Sequence, residues 1–165
     1  MARSTIVFLI GFSGCGKSTI GPRLAGRLKA RFYDTDAMIE QRTARKISEI
    51  FREDGEAKFR ALESETIRQL VSRSQRRVIA LGGGAFSHRT NRALIKKSGV
   101  VVYLSCPVRE LYRRLRHLSD RPLLDGRPAA GETMRQAKLR RIANLLENRK
   151  DAYRQAHLRV STADK

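Results

Sequence analysis

The residues with chemistry to offer begin at Gly11-Phe12-Ser13-Gly14-Cys15-Gly16-Lys17-Ser18-Thr19, which fits the phosphate-binding pattern G-x-x-x-x-G-K-[S/T]. Glycines in such a loop let successive backbone N–H groups turn toward a polyphosphate. The helix that must begin near Lys17 adds its positive dipole end. In this pattern Lys17 contacts the β- and γ-phosphates and the Ser18 hydroxyl ligates Mg²⁺. The alternative is a chance glycine-rich turn, and context decides against it. The apolar run Thr5-Ile6-Val7-Phe8-Leu9-Ile10 leads in, and a segment with helical periodicity leads out.

Two carboxylates follow in Asp34-Thr35-Asp36, at the end of a strand read over Arg31-Phe32-Tyr33. Ligands of an open parallel sheet bind beyond the carboxyl ends of its strands, so both carboxylates would face the crevice of the phosphate loop. Side-chain alternation lets Asp34 and Asp36 point the same way. The competing reading is an N-cap for the helix beginning Ala37-Met38-Ile39-Glu40. Gly82-Gly83-Gly84 ends the buried-type strand Val78-Ile79-Ala80-Leu81, either as a flexible turn or as a place where a ligand meets bare backbone. Arg60 lies on an amphipathic helix, where a lone arginine is ordinarily solvated.

The remaining candidates are weaker. Cys15 and Cys106 are far apart and lack ligand spacing, which argues against a disulfide framework or a zinc site. Cys15 is either a thiol acidified by the helix start and Lys17, hence oxidation-sensitive, or a small residue filling the loop. His88, His117 and His157 show no metal spacing and are expected on the surface.

The elements that must position these groups alternate. A helix keeps Ile20, Leu24 and Leu28 on one face through about Lys29. Helices are read over Ile47 to Phe51 and Glu56 to about Arg73, broken near Asp54-Gly55. Another spans Arg89 to Lys97, then come the strand Val100 to Leu104 and a helix with Pro107 in its first turn, through about Arg116. Residues 117–131, with two prolines and two glycines, form a mobile lid. A long helix from about Thr133 to Tyr153 carries Arg149, and Leu158 to Val160 is a short last strand. Five strands alternating with helices imply a three-layer α/β/α domain with a mainly parallel sheet.

At 165 residues the chain suits one domain, 41% hydrophobic and 31% charged. Its longest apolar stretch is far too short for a membrane span, and no signal-peptide pattern is present, so a cytoplasmic protein is expected. The formal charge of +19 raises the question of nucleic acid. Lys and Arg are scattered along every helix rather than gathered in a tail, so small anionic substrates are the favoured partners and nucleic acid is not expected.

Taken in order, these motifs resemble shikimate kinase, in the nucleoside-monophosphate-kinase group of phosphate-loop proteins. The resemblance covers nearly the whole chain. It rests on the loop at 11 to 19, Asp-Thr-Asp at 34 to 36, Phe-Arg at 59 and 60, the triple glycine, Arg-Pro-Leu-Leu at 121 to 124 and Arg-x-x-x-Tyr at 149 to 153. It implies a P-loop NTPase fold with a five-stranded parallel sheet and a mobile lid, acting on ATP with Mg²⁺ as a monomer. It also implies phosphorylation of the 3-hydroxyl of shikimate, a step in aromatic amino-acid biosynthesis. Gly14, Cys15, Gly16, Lys17, Ser18 and Thr19 would then bind ATP, with Arg113 near the adenine and Arg121 as the lid arginine on the phosphates. Asp36, Arg60, Arg149 and the backbone of Gly82, Gly83 and Gly84 would form the shikimate pocket, and the helical region 37–73 would carry much of it. Lys17, Asp36 and Arg121 take the catalytic roles. Ser18 would bind Mg²⁺ directly and Asp34 through water.

The chemistry of these residues agrees. Arg60 and Arg149 can each pair bidentately with a carboxylate, and Asp36 can accept from an attacking hydroxyl. Family members continue past the last strand with a loop and a final helix, so with the chain ending at Lys165 that helix is expected to be missing. The rivals are another small-molecule kinase of this fold, for gluconate or a nucleotide, and a non-catalytic sensing or nucleic-acid-binding module.

Overall fold

The computed structural model describes residues 6–118 and 122–163. Five parallel strands, β1 Ile6–Ile10, β2 Arg31–Asp34, β3 Arg77–Ala80, β4 Val100–Ser105 and β5 Leu158–Ser161, pair in the order β2-β3-β1-β4-β5. β1, and β3 after its buried first residue Arg77, read as apolar runs because both of their faces are covered. Ile6, Phe8 and Ile10 meet Ile67 and Leu70 of α4 (Gly55–Val71), Ile95 of α5 (Arg89–Ser98) and Tyr153 of α7 (Met134–Tyr153). Leu9 and Val78 face the other way, onto Ala25 of α1 (Lys17–Arg27). A second cluster joins Leu104 of β4 to Leu111 and Leu115 of α6 (Val108–Leu115) and to Ile142 of α7. The three layers expected from the alternation are present.

The helices α2 (Thr35–Thr43) and α3 (Ile47–Glu53) form a lobe with its own core, in which Ile39, Ile50 and Phe59 meet. The break between α3 and α4 falls at Asp54-Gly55 as expected, with Gly55 at φ 83°. Boundaries otherwise shift by a residue or two. β2 runs on to Asp34, α4 ends at Val71, and Pro107 caps α6 from outside its first turn.

Residues 122–131 hold neither helix nor strand, yet Leu124 is buried against Leu111, Leu115 and Ile142 and roots the segment. Arg121 lies outside the described residues. Among the described residues no helix is long and apolar enough to cross a membrane.

Because every strand is parallel, one end of the sheet gathers the phosphate loop, Asp34–Asp36 and the glycine run. The other end gathers the strand starts and the last turns of α1, α4 and α5.

Candidate functional site

Gly14, Gly16, Lys17, Ser18, Thr19, Asp34, Asp36, Arg60, Gly82, Gly83, Gly84 and Arg149 all line one cleft of about 540 Å³ at the carboxyl end of the sheet. One wall of the cleft is the phosphate loop. Gly16 sits at φ 101°, a left-handed conformation that side-chain-bearing residues rarely take, and this turns the loop into α1. Lys17 Nζ donates to the carbonyls of Gly11 at 2.8 Å and Phe12 at 2.9 Å, which holds the ammonium over the loop. Cys15 is fully buried beneath the loop, with Sγ 3.7 Å from Lys17 Nζ. Its thiol is packing, and only its backbone is available to a ligand.

Asp34 serves both readings that the sequence left open. Its Oδ1 accepts from the N–H groups of Asp36 at 3.0 Å and Ala37 at 3.4 Å, capping α2, while Oδ2 accepts from the Ser18 hydroxyl at 2.7 Å. One short side chain thus starts a helix and joins β2 to the phosphate loop. Thr35, buried next to it, accepts from Gly82 N–H at 3.0 Å and ties the ends of β2 and β3 together.

Another wall is built around the missing side chains of the glycine run. A Cβ on Gly82 would lie 2.6 Å from Asp36 Oδ1 and 2.7 Å from Glu63 Oε1. One on Gly84 would lie 2.7 Å from both terminal nitrogens of Arg60, and one on Gly83 would lie 3.0 Å from Arg149 Nη1. Two carboxylates and two guanidiniums therefore converge on three consecutive residues. Arg60 is no solvated helix residue. It is paired with Glu63 at 3.0 Å and Glu56 at 2.9 Å, and it lies over the Phe59 ring. Arg149, nine-tenths buried, lies over the Phe12 ring at 5.4 Å.

Glu63 was not anticipated. It is completely buried, and that burial pushes its carboxyl above the usual carboxylate range against the pull of Arg60 and Arg149. The signal was available, because Glu63 falls on the buried face of α4 with Phe59, Ile67 and Leu70. Tyr153, noted only as part of a motif, donates its hydroxyl to the Gly83 carbonyl at 2.5 Å and stacks on Tyr103. It holds the middle of the glycine run from below.

Arg113 does not reach the cleft. It is exposed and paired with Glu110 at 2.7 Å. Its neighbour Arg114 points inward instead, to the carbonyls of Gly14 at 3.1 Å and Thr162 at 2.7 Å, linking the phosphate loop to the segment after β5. Helical geometry explains the difference. At about 100° per residue Arg113 lies about 180° from the buried pair Leu111 and Leu115, whereas Arg114 flanks that pair.

A family model described as shikimate kinase matches residues 13–165. A shikimate kinase of Geobacter metallireducens is 45% identical over 174 aligned positions, covering 100% of this chain and 91% of that protein. One from Chlorobium chlorochromatii is 44% identical over 159 positions, covering 96% and 82%. Among solved structures, a shikimate kinase from Acinetobacter baumannii in complex with shikimate superposes with a TM-score of 0.88 at 34% identity, covering 98% of this chain and 85% of that one. A gluconokinase from Sinorhizobium meliloti, at 20% identity and TM-score 0.61, shares the fold.

Proposed function

The chain belongs to the shikimate kinase family, and we propose that its cleft transfers the γ-phosphate of ATP to the 3-hydroxyl of shikimate through the residues gathered there. The activity is that of a phosphotransferase acting on a hydroxyl group. The observation that carries the assignment of roles is the convergence of Asp36, Arg60, Glu63 and Arg149 on Gly82–Gly84, across the cleft from Lys17. Shikimate offers one carboxylate and three hydroxyls. Arg60 and Arg149 supply cationic forks for the carboxylate, and Glu63 holds the Arg60 fork in place. Asp36 accepts from the attacking hydroxyl and takes its proton as the new O–P bond forms and the bond to the leaving ADP oxygen breaks. Lys17 and the loop N–H groups balance the charge gathered on the phosphoryl oxygens. Arg121 is assigned the same task from outside the described residues.

The oxygen donors at the mouth of the loop fit Mg²⁺, with Ser18 as direct ligand and Asp34 acting through water. Mg²⁺ ordinarily keeps several waters and is bound through one or two protein oxygens plus substrate phosphates. Bound there, it would neutralise part of the polyphosphate charge. The reading carries with it a monomer working in the cytoplasm.

The test is ADP release from Mg²⁺-ATP with shikimate, gluconate, AMP or no acceptor at one enzyme concentration. Turnover with shikimate alone, abolished by Asp36→Asn, is expected. Turnover with gluconate or AMP, or full shikimate activity in Asp36→Asn, would overturn the assignment.

A further inference from the structure

The net charge of +19 is unevenly distributed. Residues 1–33 carry six Lys and Arg, residues 66–109 carry nine, and neither stretch has an Asp or a Glu. Nine of the sixteen acids fall within residues 34–65, the segment on the acceptor side of the cleft.

Folding brings the acid-free stretches together. They supply the central strands, α1, the end of α4 and all of α5, and their helix ends and strand starts meet at the end of the sheet remote from the cleft. There Arg27 and Lys29 finish α1, Arg31 opens β2, Arg73 and Arg76 lead into β3, and Lys96 and Lys97 finish α5. All seven are exposed, and none is ion-paired with any described residue. Arg31 N–H donates to the Arg76 carbonyl at 3.1 Å, and the Arg73 guanidinium lies 5.7 Å from the centre of the Tyr33 ring. At about 4.8 Å between strands, β2 to β4 spread these cations over roughly 15 Å. Scatter along the sequence has become a single-signed surface in space.

Cations in the last turn of a helix offset its negative dipole end. One or two per helix suffice for that, and it does not require the loops and strand starts between them to lack acids. Unpaired like charges gathered at one end repel one another, so the arrangement favours an anionic partner.

We propose that this end of the molecule docks the phosphodiester backbone of a polynucleotide without regard to base sequence. Guanidinium forks match phosphate oxygens two at a time, and Arg27, Arg31, Arg73 and Arg76 supply four of them. A protein partner would need an apolar centre to the interface. Among the described residues the exposed large hydrophobics at this end, Leu28 after α1, Val100 opening β4 and Leu158 opening β5, lie on separate elements and are 41%, 37% and 57% exposed. A membrane surface would need an amphipathic helix with its apolar face turned outward, but α1, α4 and α5 turn theirs into the core.

The test is fluorescence anisotropy of a labelled duplex of about 20 base pairs, titrated with the full chain in saturating Mg²⁺-ATP to occupy the cleft. Micromolar binding at about 50 mM salt, indifferent to sequence, is expected to fall about 10³-fold by about 200 mM if roughly six phosphates are engaged. The double changes Arg27→Glu with Arg31→Glu, and Lys96→Glu with Lys97→Glu, should each lower the salt slope by about 2. Shikimate-dependent ADP release should stay at its parental rate in both, which shows that they fold. The proposal is overturned by parental binding in both variants, by displacement of the duplex on raising ATP, by absence of salt-dependent binding, or by capture on phosphatidylserine vesicles with none on the duplex.

Discussion

The two ends of the parallel sheet use the same side chain for different work. At the cleft, Arg60 and Arg149 are largely buried and face carboxylates across three glycines. At the far end, Arg27, Arg31, Arg73 and Arg76 are exposed and none is paired with a described carboxylate. A buried guanidinium must be partnered, because desolvation of a lone charge costs too much. Partnering fixes it in one position and makes it able to orient a substrate. An exposed guanidinium needs no partner and contributes through the summed field. Burial therefore converts charge into geometry at one end, and its absence leaves charge as field at the other.

The sharpest way to break this contrast is at the reacting atoms. Asp36→Asn keeps the shape of the side chain but removes the acceptor charge. It should lower kcat by about 10²- to 10⁴-fold while leaving ATP binding, read by calorimetry, near the parental value. Arg60→Ala comes next and should act on two readouts together. Removing one member of a buried pair strands Glu63, at a cost of about 3 kcal/mol in denaturant unfolding, and the lost charged hydrogen bonds should raise the shikimate KM by at least about 10-fold. An equal substitution at Arg27 should leave both measurements almost unmoved; if Arg27→Ala were as damaging, the contrast between the two ends would fail.

Gly84→Ala tests the glycine run alone. Its backbone, at φ −100°, admits alanine without backbone strain, so the only loss of stability comes from shifting the Arg60–Glu63 pair and should stay below that of Arg60→Ala. The added methyl would displace the Arg60 guanidinium, giving about a 10-fold rise in shikimate KM by steady-state kinetics, within the range for a disturbed charged hydrogen bond.

The smallest effect belongs to Glu110 on α6, a half-buried carboxylate bonded to two arginines. Hydrogen bonds from Arg113 and then Arg114 hold the Glu110 carboxyl down at about 2, against an ordinary value of 4.5. A depressed carboxyl contributes stability that is present above 4.5 and lost as pH falls toward about 2. Thermal melts across that window should show Glu110→Gln losing less than the parent on acidification.

Much of this was legible in the sequence because it is local. The phosphate loop, the alternation of strands and helices, and the placement of Asp34 and Asp36 at a strand end follow from spacing within a few residues. Asp34 caps α2 with one oxygen and holds the Ser18 hydroxyl with the other, so capping does not take it out of the cleft. Other features depended on rotation about a helix axis. Arg113 and Arg114 are adjacent in sequence, and only the direction of the Leu111–Leu115 face separates them. Glu63 was passed over because a carboxylate at a core position runs against composition, although its spacing from Phe59 already placed it there. The clustering of cations at the far end needed the strand order itself, which no local pattern contains.

The order of the strands also bears on how such an enzyme can diverge. Asp36, Arg60, Glu63 and Gly82–Gly84 fall within one uninterrupted stretch of about fifty residues, while the phosphate loop lies wholly before it. Pairing β3 against β1 sets the products of these two stretches side by side. A lineage can therefore rewrite or exchange the stretch to which we assign acceptor recognition and inherit the phosphate loop intact, while Arg149, on α7, would have to be changed separately.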